Sequence, residues 1–219
     1  MAIYVTSDAH GHVRALDEAL SKISLASDDT LYVLGDMIDR GPDPVGVIKL
    51  VRSLPNARVL KGNHEQIMLD AIIGQDPLDA ETWDINGGWT TRQQLNDMEF
   101  EAYEELVRWM ATLPLYAVVE TDERPYLLVH AGIQTEAARA FLFEHGVDCA
   151  DGTGAVDADR ELLKQMLAVQ SSDDLLWIRH GYWDAPTGLL SAEGKGPVVV
   201  SGHTPTVSLG RYCEVGGLA

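Results

Sequence analysis

Short apolar runs alternate along the chain with segments whose apolar residues recur at helical spacing. The runs at residues 31–34 and 197–200 are apolar almost throughout, as is typical of strands covered on both faces. Val13, Leu16, Leu20 and Ile23 show instead the period of an amphipathic helix. Six runs predict β-strands, at residues 3–6, 30–34, 58–60, 115–120, 126–129 and 197–200. This alternation of strand and helix signals predicts an α/β domain.

Residues 74–112 form a stretch that is long for a simple connection between two elements. The stretch is acidic and contains Trp83 and Trp89. We expect a helical elaboration beside the core here, with a purely structural role as an equal alternative. Since the chain shows no internal repeat, low-complexity tract or linker, residues 1–219 are expected to form a single domain.

Composition limits the partners of the chain. It carries 34 acidic and 16 basic residues, for a net charge of −18, which disfavours nucleic-acid binding. No apolar window is long enough to cross a membrane, and the first residues lack the pattern of a signal peptide. Cys149 and Cys213 are expected to be reduced thiols, and the protein to be cytoplasmic. Because an acidic surface repels anions, any bound phosphate requires strong local positive charge, which metal ions supply.

Polar side chains of the metal-binding type follow the predicted strands. In α/β sheets, ligands bind beyond the carboxyl ends of the strands. The residues at these positions are Asp8 and His10, Asp36, Asn63 and His64, His130, and His203. The set combines oxygen and nitrogen ligands without thiolate, which suits manganese, iron or zinc at a non-structural site.

The order of these segments resembles a known superfamily. Residues 8–10 (DAH), 35–41 (GDMIDRG), 62–65 (GNHE), 130–132 (HAG) and 202–204 (GHT) are similar to the motifs of metallophosphoesterases. Within that superfamily the chain resembles the serine/threonine phosphoprotein phosphatases, including their small bacterial and phage members. The resemblance implies a four-layer α/β/β/α sandwich of two mixed sheets with flanking helices.

The resemblance also implies a centre with two divalent metal ions, with manganese the first expectation and iron or zinc as alternatives. Asp8, His10 and Asp36 would hold the first ion. The second would be held by Asp36, which bridges the two, together with Asn63, His130 and His203. Taken singly, each of these residues could equally be an ordinary turn or core residue.

Further side chains match the residues that act on phosphate in this family. His64 resembles the general acid, and Asp39 the carboxylate that keeps this histidine protonated and oriented. Arg40 and Arg179 resemble the two arginines that bind phosphate oxygens, a task that suits the planar guanidinium. The alternatives are a metal-shell role for His64 and surface salt bridges for the arginines. Glu65 is interpreted as a helix-start residue that favours the helix dipole.

Two features depart from the family pattern. Ser7 replaces the usual glycine before the first aspartate, so we expect a slightly altered turn around Asp8. The chain ends soon after the last motif, with residues 211–215 as the remaining strand-like run. Residues 86–91 resemble a glycine-rich segment of the bacterial members, with a plain turn as the alternative. Trp83 and Trp89 either line a substrate groove or pack in the core.

These features predict a phosphomonoesterase that acts on phosphoserine or phosphothreonine in a protein or peptide, and possible substrates extend to phosphotyrosine and small esters. One alternative is a symmetrical dinucleoside polyphosphate (Ap4A-type) hydrolase of the same superfamily. Members of that group depart from the Asp-Arg pair after the bridging aspartate, and aspartate tends to follow their Asn-His pair. Asp39, Arg40 and Glu65 therefore favour the phosphatase. A non-catalytic metal-binding scaffold is the alternative of another class. No nucleic-acid or membrane partner is expected, and the sequence leaves the oligomeric state open.

Overall fold

A computed structural model describes residues 1–74, 76–147, 149, 158–183, 186–190 and 195–205. The chain divides into two compact units, Met1–Pro114 and Leu115–Ala219. Within these residues, each unit contains a three-stranded sheet and its own apolar core.

The sheet of the first unit consists of β1 (Ile3–Thr6), β2 (Thr30–Val33) and β3 (Ala57–Val59), in that order. Both strand pairs are parallel, with Tyr4 opposite Leu31 and Val33 opposite Val59. In the central strand Leu31 and Val33 are buried and their neighbours are half-buried, because successive side chains point to opposite faces. Parallel pairing brings the carboxyl ends of all three strands to one edge of this sheet.

Where the structure describes the first unit, six helices accompany its sheet: α1 (Val13–Ile23), α2 (Pro44–Ser53), α3 (Asn63–Ile73), α4 (Pro77–Ile85), α5 (Trp89–Asn96) and α6 (Phe100–Ala111). Local sequence signals set where several of them start. The side chain of Asp43 accepts a hydrogen bond from Gly46 N at 2.9 Å, and Pro44 occupies the first turn of α2. Asp76 and Pro77 start α4 in the same way. The apolar faces of α2, α3 and α6 meet in one core around Ile48, Met68 and Met110.

The second unit has a mixed sheet of β4 (Tyr116–Glu120), β5 (Pro125–Val129) and β6 (Val198–Val200). Strands β4 and β5 are antiparallel, whereas β5 and β6 are parallel. The described part of this unit contains the helices α7 (Thr135–Glu144), α8 (Arg160–Ala168) and α9 (Ser172–Trp177). Asp159 and Ser171 cap α8 and α9 through their side-chain oxygens. Leu127, Leu142 and Leu163 lie in the core.

The predicted α/β fold with two sheets and flanking helices is confirmed, and each predicted strand is present within two residues of its expected ends. The first sheet is parallel throughout, and only the second is mixed. The strand-like run at residues 211–215 lies outside the described residues. Among the helices described, none has the length and apolar character needed to cross a membrane.

Gly35, at the turn after β2, provides a test of this framework. Its φ is +89°, and a Cβ atom there would overlap the backbone of Gly62. We expect Gly35→Ala to lose ~1–2 kcal/mol through the left-handed backbone and ~1–3 kcal/mol more through the overlap. Denaturant unfolding monitored by circular dichroism measures this loss.

Gly146→Ala is the matched control, because Gly146 has a φ of +83° but no atom of the described residues within 4 Å of a built Cβ. It should show only the loss due to the left-handed backbone. Equal losses in the two variants would contradict the close approach of Gly35 to Gly62.

Candidate metal centre and acid–base pair

The loops after β1 and β2 are joined backbone to backbone. Asp8 N donates to Gly35 O at 3.1 Å, and His10 N donates to Asp36 O at 2.9 Å. Asp8, His10 and Asp36 all have positive φ, at 56°, 40° and 53°. Such conformations cost on the order of 1–3 kcal/mol each in non-glycine residues and persist where surrounding contacts impose them. The two loops therefore hold these side chains in directions that an unconstrained turn would not select.

Three of the predicted site residues converge in the first unit. One side-chain nitrogen or oxygen each from His10, Asp36 and His64 lies within 4.8 Å of the others. His10 Nε2 is 3.5 Å from Asp36 Oδ2, and His64 Nε2 is 4.0 Å from the same oxygen. His64 and Asp36 are buried, and His10 is half-buried. This spacing suits a cation placed between the three groups.

The protonation of His10 fits a metal ligand. Its Nδ1–H donates to the carbonyl oxygen of Ile38 at 2.9 Å, which leaves the lone pair on Nε2. Burial lowers the pKa of His10 to about 4, with the nearby His64 and Arg40 acting in the same direction. The ring is therefore neutral at neutral pH, which is the form that binds a metal ion.

The charges around Asp36 also fit a cation. Burial raises the pKa of Asp36, and the neighbouring Glu65 and Asp8 carboxylates raise it further. A divalent ion at this carboxylate would offset both effects. The guanidinium of Arg40 already lies against the same donors, with Nη1 3.2 Å from His10 Nε2 and Nη2 2.8 Å from His64 Nε2. Because a guanidinium only donates, both imidazole nitrogens act as acceptors and point toward a positive charge.

Glu65 has a larger role than the sequence suggested. The side chain is fully buried and accepts three backbone N–H groups, those of Asp36, Met37 and Gly62, each at 2.8 Å. The same carboxylate thus joins the turn after β2 to the start of α3. Burial raises the pKa of Glu65, while these hydrogen bonds act to lower it. The only sign of these contacts in the sequence is the position of Glu65 three residues after Gly62, where a glutamate can bind the backbone N–H of the N-cap residue.

His64 and Asp39 form a buried pair. His64 Nδ1 lies 2.7 Å from Asp39 Oδ2, and neither side chain is exposed. Since Arg40 donates to Nε2, the proton on the histidine is assigned to Nδ1 and is donated to Asp39. Trp83 Nε1 and Thr91 Oγ1 also donate to the carboxylate of Asp39. The structure brings the predicted acid and its carboxylate partner into contact, and it adds two partners that the sequence did not identify.

The remaining predicted residues of the first unit lie beside this group. Asn63 is buried at the first position of α3, next to His64. Asp8 is half-buried in the loop after β1. Ser7, which replaces the family's glycine, lies before it with its hydroxyl 3.5 Å from the carbonyl oxygen of Leu34. Their predicted roles as ligands, and that of Ser7 in the turn, stay predictions.

In the second unit two predicted ligands are neighbours. His130 Nε2 is 3.2 Å from His203 Nδ1, and both rings are buried. Gly202 N donates to His130 O at 2.8 Å, which ties the loop after β6 to the end of β5. Arg179 lies exposed, two residues beyond the end of α9. That His130 and His203 bind an ion shared with Asp36 stays a prediction. That Arg179 binds phosphate also stays a prediction.

Residues 1–216 match the family model described as calcineurin-like phosphoesterase. The chain is 29% identical, over 99% of its length and 70% of the relative's, to the protein of Proteus mirabilis named bis(5'-nucleosyl)-tetraphosphatase, symmetrical. The relative of the same name from Pectobacterium carotovorum is 30% identical over 99% of this chain and 68% of its own. That from Erwinia tasmaniensis is 32% identical over 61% of this chain and 45% of its own.

A solved structure of a metallophosphoesterase from Sphaerobacter thermophilus is also similar, with a TM-score of 0.43 and 25% sequence identity. It covers 63% of this chain, which covers 53% of that one.

The names of these relatives contradict two of the predictions made from sequence, a phosphoprotein phosphatase activity and a phosphorylated protein or peptide as partner. The residues used to choose that activity explain the error. Glu65 binds backbone N–H groups, and Asp39 binds His64. Both contacts serve the geometry of the centre and are indifferent to what is attached to the phosphate. These two side chains therefore give no physical reason to prefer a phosphoprotein phosphatase.

Glu65→Gln tests the contacts that join the turn after β2 to the start of α3. The amide NH₂ of glutamine would face a backbone N–H where the carboxylate now accepts, so we expect a loss of about 2 kcal/mol or more in the free energy of unfolding. Glu18→Gln, on the exposed face of α1, is the control and should be within ~0.5 kcal/mol of wild type. Chemical denaturation measures both, and equal stability of the two variants would show that the Glu65 contacts contribute little.

Proposed function

The chain belongs to the calcineurin-like phosphoesterase family, and we propose that it hydrolyses symmetrical bis(5'-nucleosyl) tetraphosphates. The observation that carries the proposal is its similarity, along 99% of the chain, to relatives named for that activity. The reaction adds water across the central P–O–P bridge. The oxygen of water forms a bond to one of the two inner phosphorus atoms, the bridging oxygen leaves with the other, and two nucleoside diphosphates result.

The proposed cofactors are two divalent metal ions, with manganese first and iron or zinc as alternatives. The neutral imidazole of His10 and the crowded carboxylate of Asp36 support this, because both gain from a bound cation. When bound, such ions acidify water into a nucleophile and neutralise phosphate charge. The residues proposed to hold them are Asp8, His10, Asp36 and Asn63 in the first unit, and His130 and His203 in the second.

His64 is the proposed general acid for the leaving nucleoside diphosphate. Donation from Nε2 requires a second proton on the ring, and the buried Asp39 carboxylate at Nδ1 stabilises the imidazolium that then forms. The same contact fixes the ring plane, so Nε2 keeps one direction. Loss of the proton to the bridging oxygen returns the ring to the neutral form.

Arg40 is proposed to bind phosphate oxygens, with Arg179 as a second binding arginine. The guanidinium of Arg40 now donates to the Nε2 atoms of His10 and His64. Both nitrogens have other tasks in the proposed reaction, so the side chain of Arg40 turns to the substrate when these tasks begin. Its exposure leaves room for this movement. Local cations of this kind are needed because the chain as a whole carries a charge of −18 and repels a polyphosphate.

The direct test is hydrolysis of bis(5'-adenosyl) tetraphosphate with Mn²⁺, followed by anion-exchange chromatography. We expect ADP as the sole nucleotide product and loss of the activity on chelation of the metal, with recovery when Mn²⁺ is restored. AMP together with ATP as products, or turnover that persists in excess chelator, would contradict the proposal. Cleavage of a phosphoserine peptide without cleavage of the dinucleotide would also contradict it.

His64→Gln tests the acid. We expect kcat to fall by about 10²–10⁴-fold, because a positioned proton donor contributes on this order. The exposed His145, at the end of α7, supplies the control variant His145→Gln, which should keep wild-type turnover. Steady-state kinetics on the dinucleotide measure both, and an unchanged kcat in a folded His64→Gln protein would exclude His64 as the acid.

A further inference from the structure

The geometry points to a positioning function for the segment α4–α5, in which Trp83, Gly87 and Thr91 hold Asp39 and Arg40 so that His64 is correctly oriented. The inference rests on the proposed function, because the orientation of His64 affects turnover only if His64 acts as the acid in that reaction. It concerns the first unit alone, and it assigns a role to residues that the motifs of the metal centre do not include.

The carboxylate of Asp39 is surrounded by donors. Oδ1 accepts from Thr91 Oγ1 at 2.6 Å and from Trp83 Nε1 at 3.0 Å, while Oδ2 lies 2.7 Å from His64 Nδ1. All four side chains are buried. Because an ionised carboxylate only accepts, each neighbour must donate its hydrogen to it. Thr91 and Trp83 thus fix the plane of the carboxylate, and the carboxylate fixes the ring of His64.

Thr91 makes a second contact with the same residue. Its hydroxyl oxygen accepts from the backbone N–H of Asp39 at 2.9 Å while its hydrogen goes to Asp39 Oδ1. A hydroxyl can accept and donate at once, which neither a methyl group nor an amide NH₂ can do. Asp39 has a φ of 68°, an uncommon conformation for aspartate that this pair of contacts supports.

Arg40 is held from the same segment. Its backbone N–H donates to the carbonyl oxygen of Gly87 at 3.0 Å, and its own φ is 65°. Gly87 has a φ of +93°, and a Cβ atom there would come within 3.0 Å of Arg40 Cγ. Two consecutive left-handed residues, Asp39 and Arg40, therefore each have their backbone N–H bound by the turn and helix that follow α4.

Trp83 itself is fixed from the far side. The guanidinium of Arg92 lies 4.9 Å over the indole ring and pairs with Asp84 at 3.0 Å. Trp83 is buried, with 2% of its surface exposed, and its indole N–H donates to Asp39. Of the two interpretations from sequence, a substrate groove or core packing, the contacts favour packing. Trp83 lies inside the unit and contacts the acid–base pair through its one polar atom.

Two substitutions at Thr91 distinguish a positioning role from a role in packing alone. Thr91→Val keeps the shape and removes the hydroxyl, whereas Thr91→Ser keeps the hydroxyl and removes a methyl group. Positioning predicts that Thr91→Val lowers kcat on bis(5'-adenosyl) tetraphosphate by about tenfold or more with KM nearly unchanged, and that Thr91→Ser stays near wild type. Packing predicts that serine is at least as damaging as valine, and that result would overturn the inference.

Trp83→Phe tests the indole N–H, and Trp109→Phe is its matched control. Trp109 also lies under an arginine, with Arg52 5.2 Å from its ring, but it belongs to the partly buried edge of the core. We expect kcat to fall severalfold in Trp83→Phe and to be retained in Trp109→Phe. Each variant is first shown to be folded by its thermal transition, and assays are run well below it.

A double-mutant cycle tests whether Thr91 acts through Asp39. If it does, Thr91→Val added to Asp39→Asn should cost little further kcat/KM, because the group that the hydroxyl positions has already lost its charge. Independent, multiplicative losses in the double variant would contradict the inference.

A measurement without substrate separates this inference from the proposed function. The Nδ1–H of His64, in a short buried hydrogen bond, should give a strongly downfield proton NMR signal that His64→Gln removes. We expect Thr91→Ser to keep this signal and Thr91→Val to shift or lose it. If the wild type does not cleave the dinucleotide but the signal responds in this way, the function fails and the positioning stands. A signal unaffected by Thr91→Val overturns the positioning, whatever the substrate.

Discussion

The buried carboxylate of Glu65 is the contact on which the candidate site of the first unit depends. It accepts the backbone N–H groups of Asp36, Met37 and Gly62 and thereby joins the turn after β2 to the start of α3. Asp36 and His64 belong to these two segments, and His64 N donates to Asp36 Oδ1 across the same junction at 3.0 Å. Without a fixed junction, neither the approach of His64 to Asp36 nor the direction of its ring would be defined.

This arrangement places two acids close together in a buried region. Burial and the neighbouring carboxylates raise the pKa of Asp36, and burial raises that of Glu65. Glu65 accepts three backbone hydrogen bonds, whereas Asp36 Oδ1 accepts one, from His64 N. Asp36 Oδ2 lies near the Nε2 atoms of His10 and His64, which are themselves acceptors toward Arg40. This group of side chains therefore requires a nearby positive charge. A polyphosphate requires the same, because the protein as a whole carries a charge of −18 and repels it.

The chemistry of the centre and the choice of substrate are separate properties of this chain. The side chains proposed to activate water, donate a proton or bind phosphate would act only on the phosphate and its leaving oxygen. They suit a phosphate ester and a phosphate anhydride alike, so they could not distinguish the two classes of enzyme within one superfamily. The similarity of nearly the whole chain to the symmetrical tetraphosphatases carries that distinction, and it reversed the preference that Asp39, Arg40 and Glu65 had suggested.

The sequence by itself determined the strands, the α/β class and the positions of Asp8, His10, Asp36 and His64 after the strands, because period and strand ends are local properties of the chain. It also predicted the partnership of Asp39 with His64, through family resemblance. Only the tertiary structure decided that Glu65 binds three backbone N–H groups and that Trp83 and Thr91 surround Asp39. Those contacts join residues up to 52 positions apart, and no local pattern of polar and apolar residues specifies which donor meets which acceptor after folding.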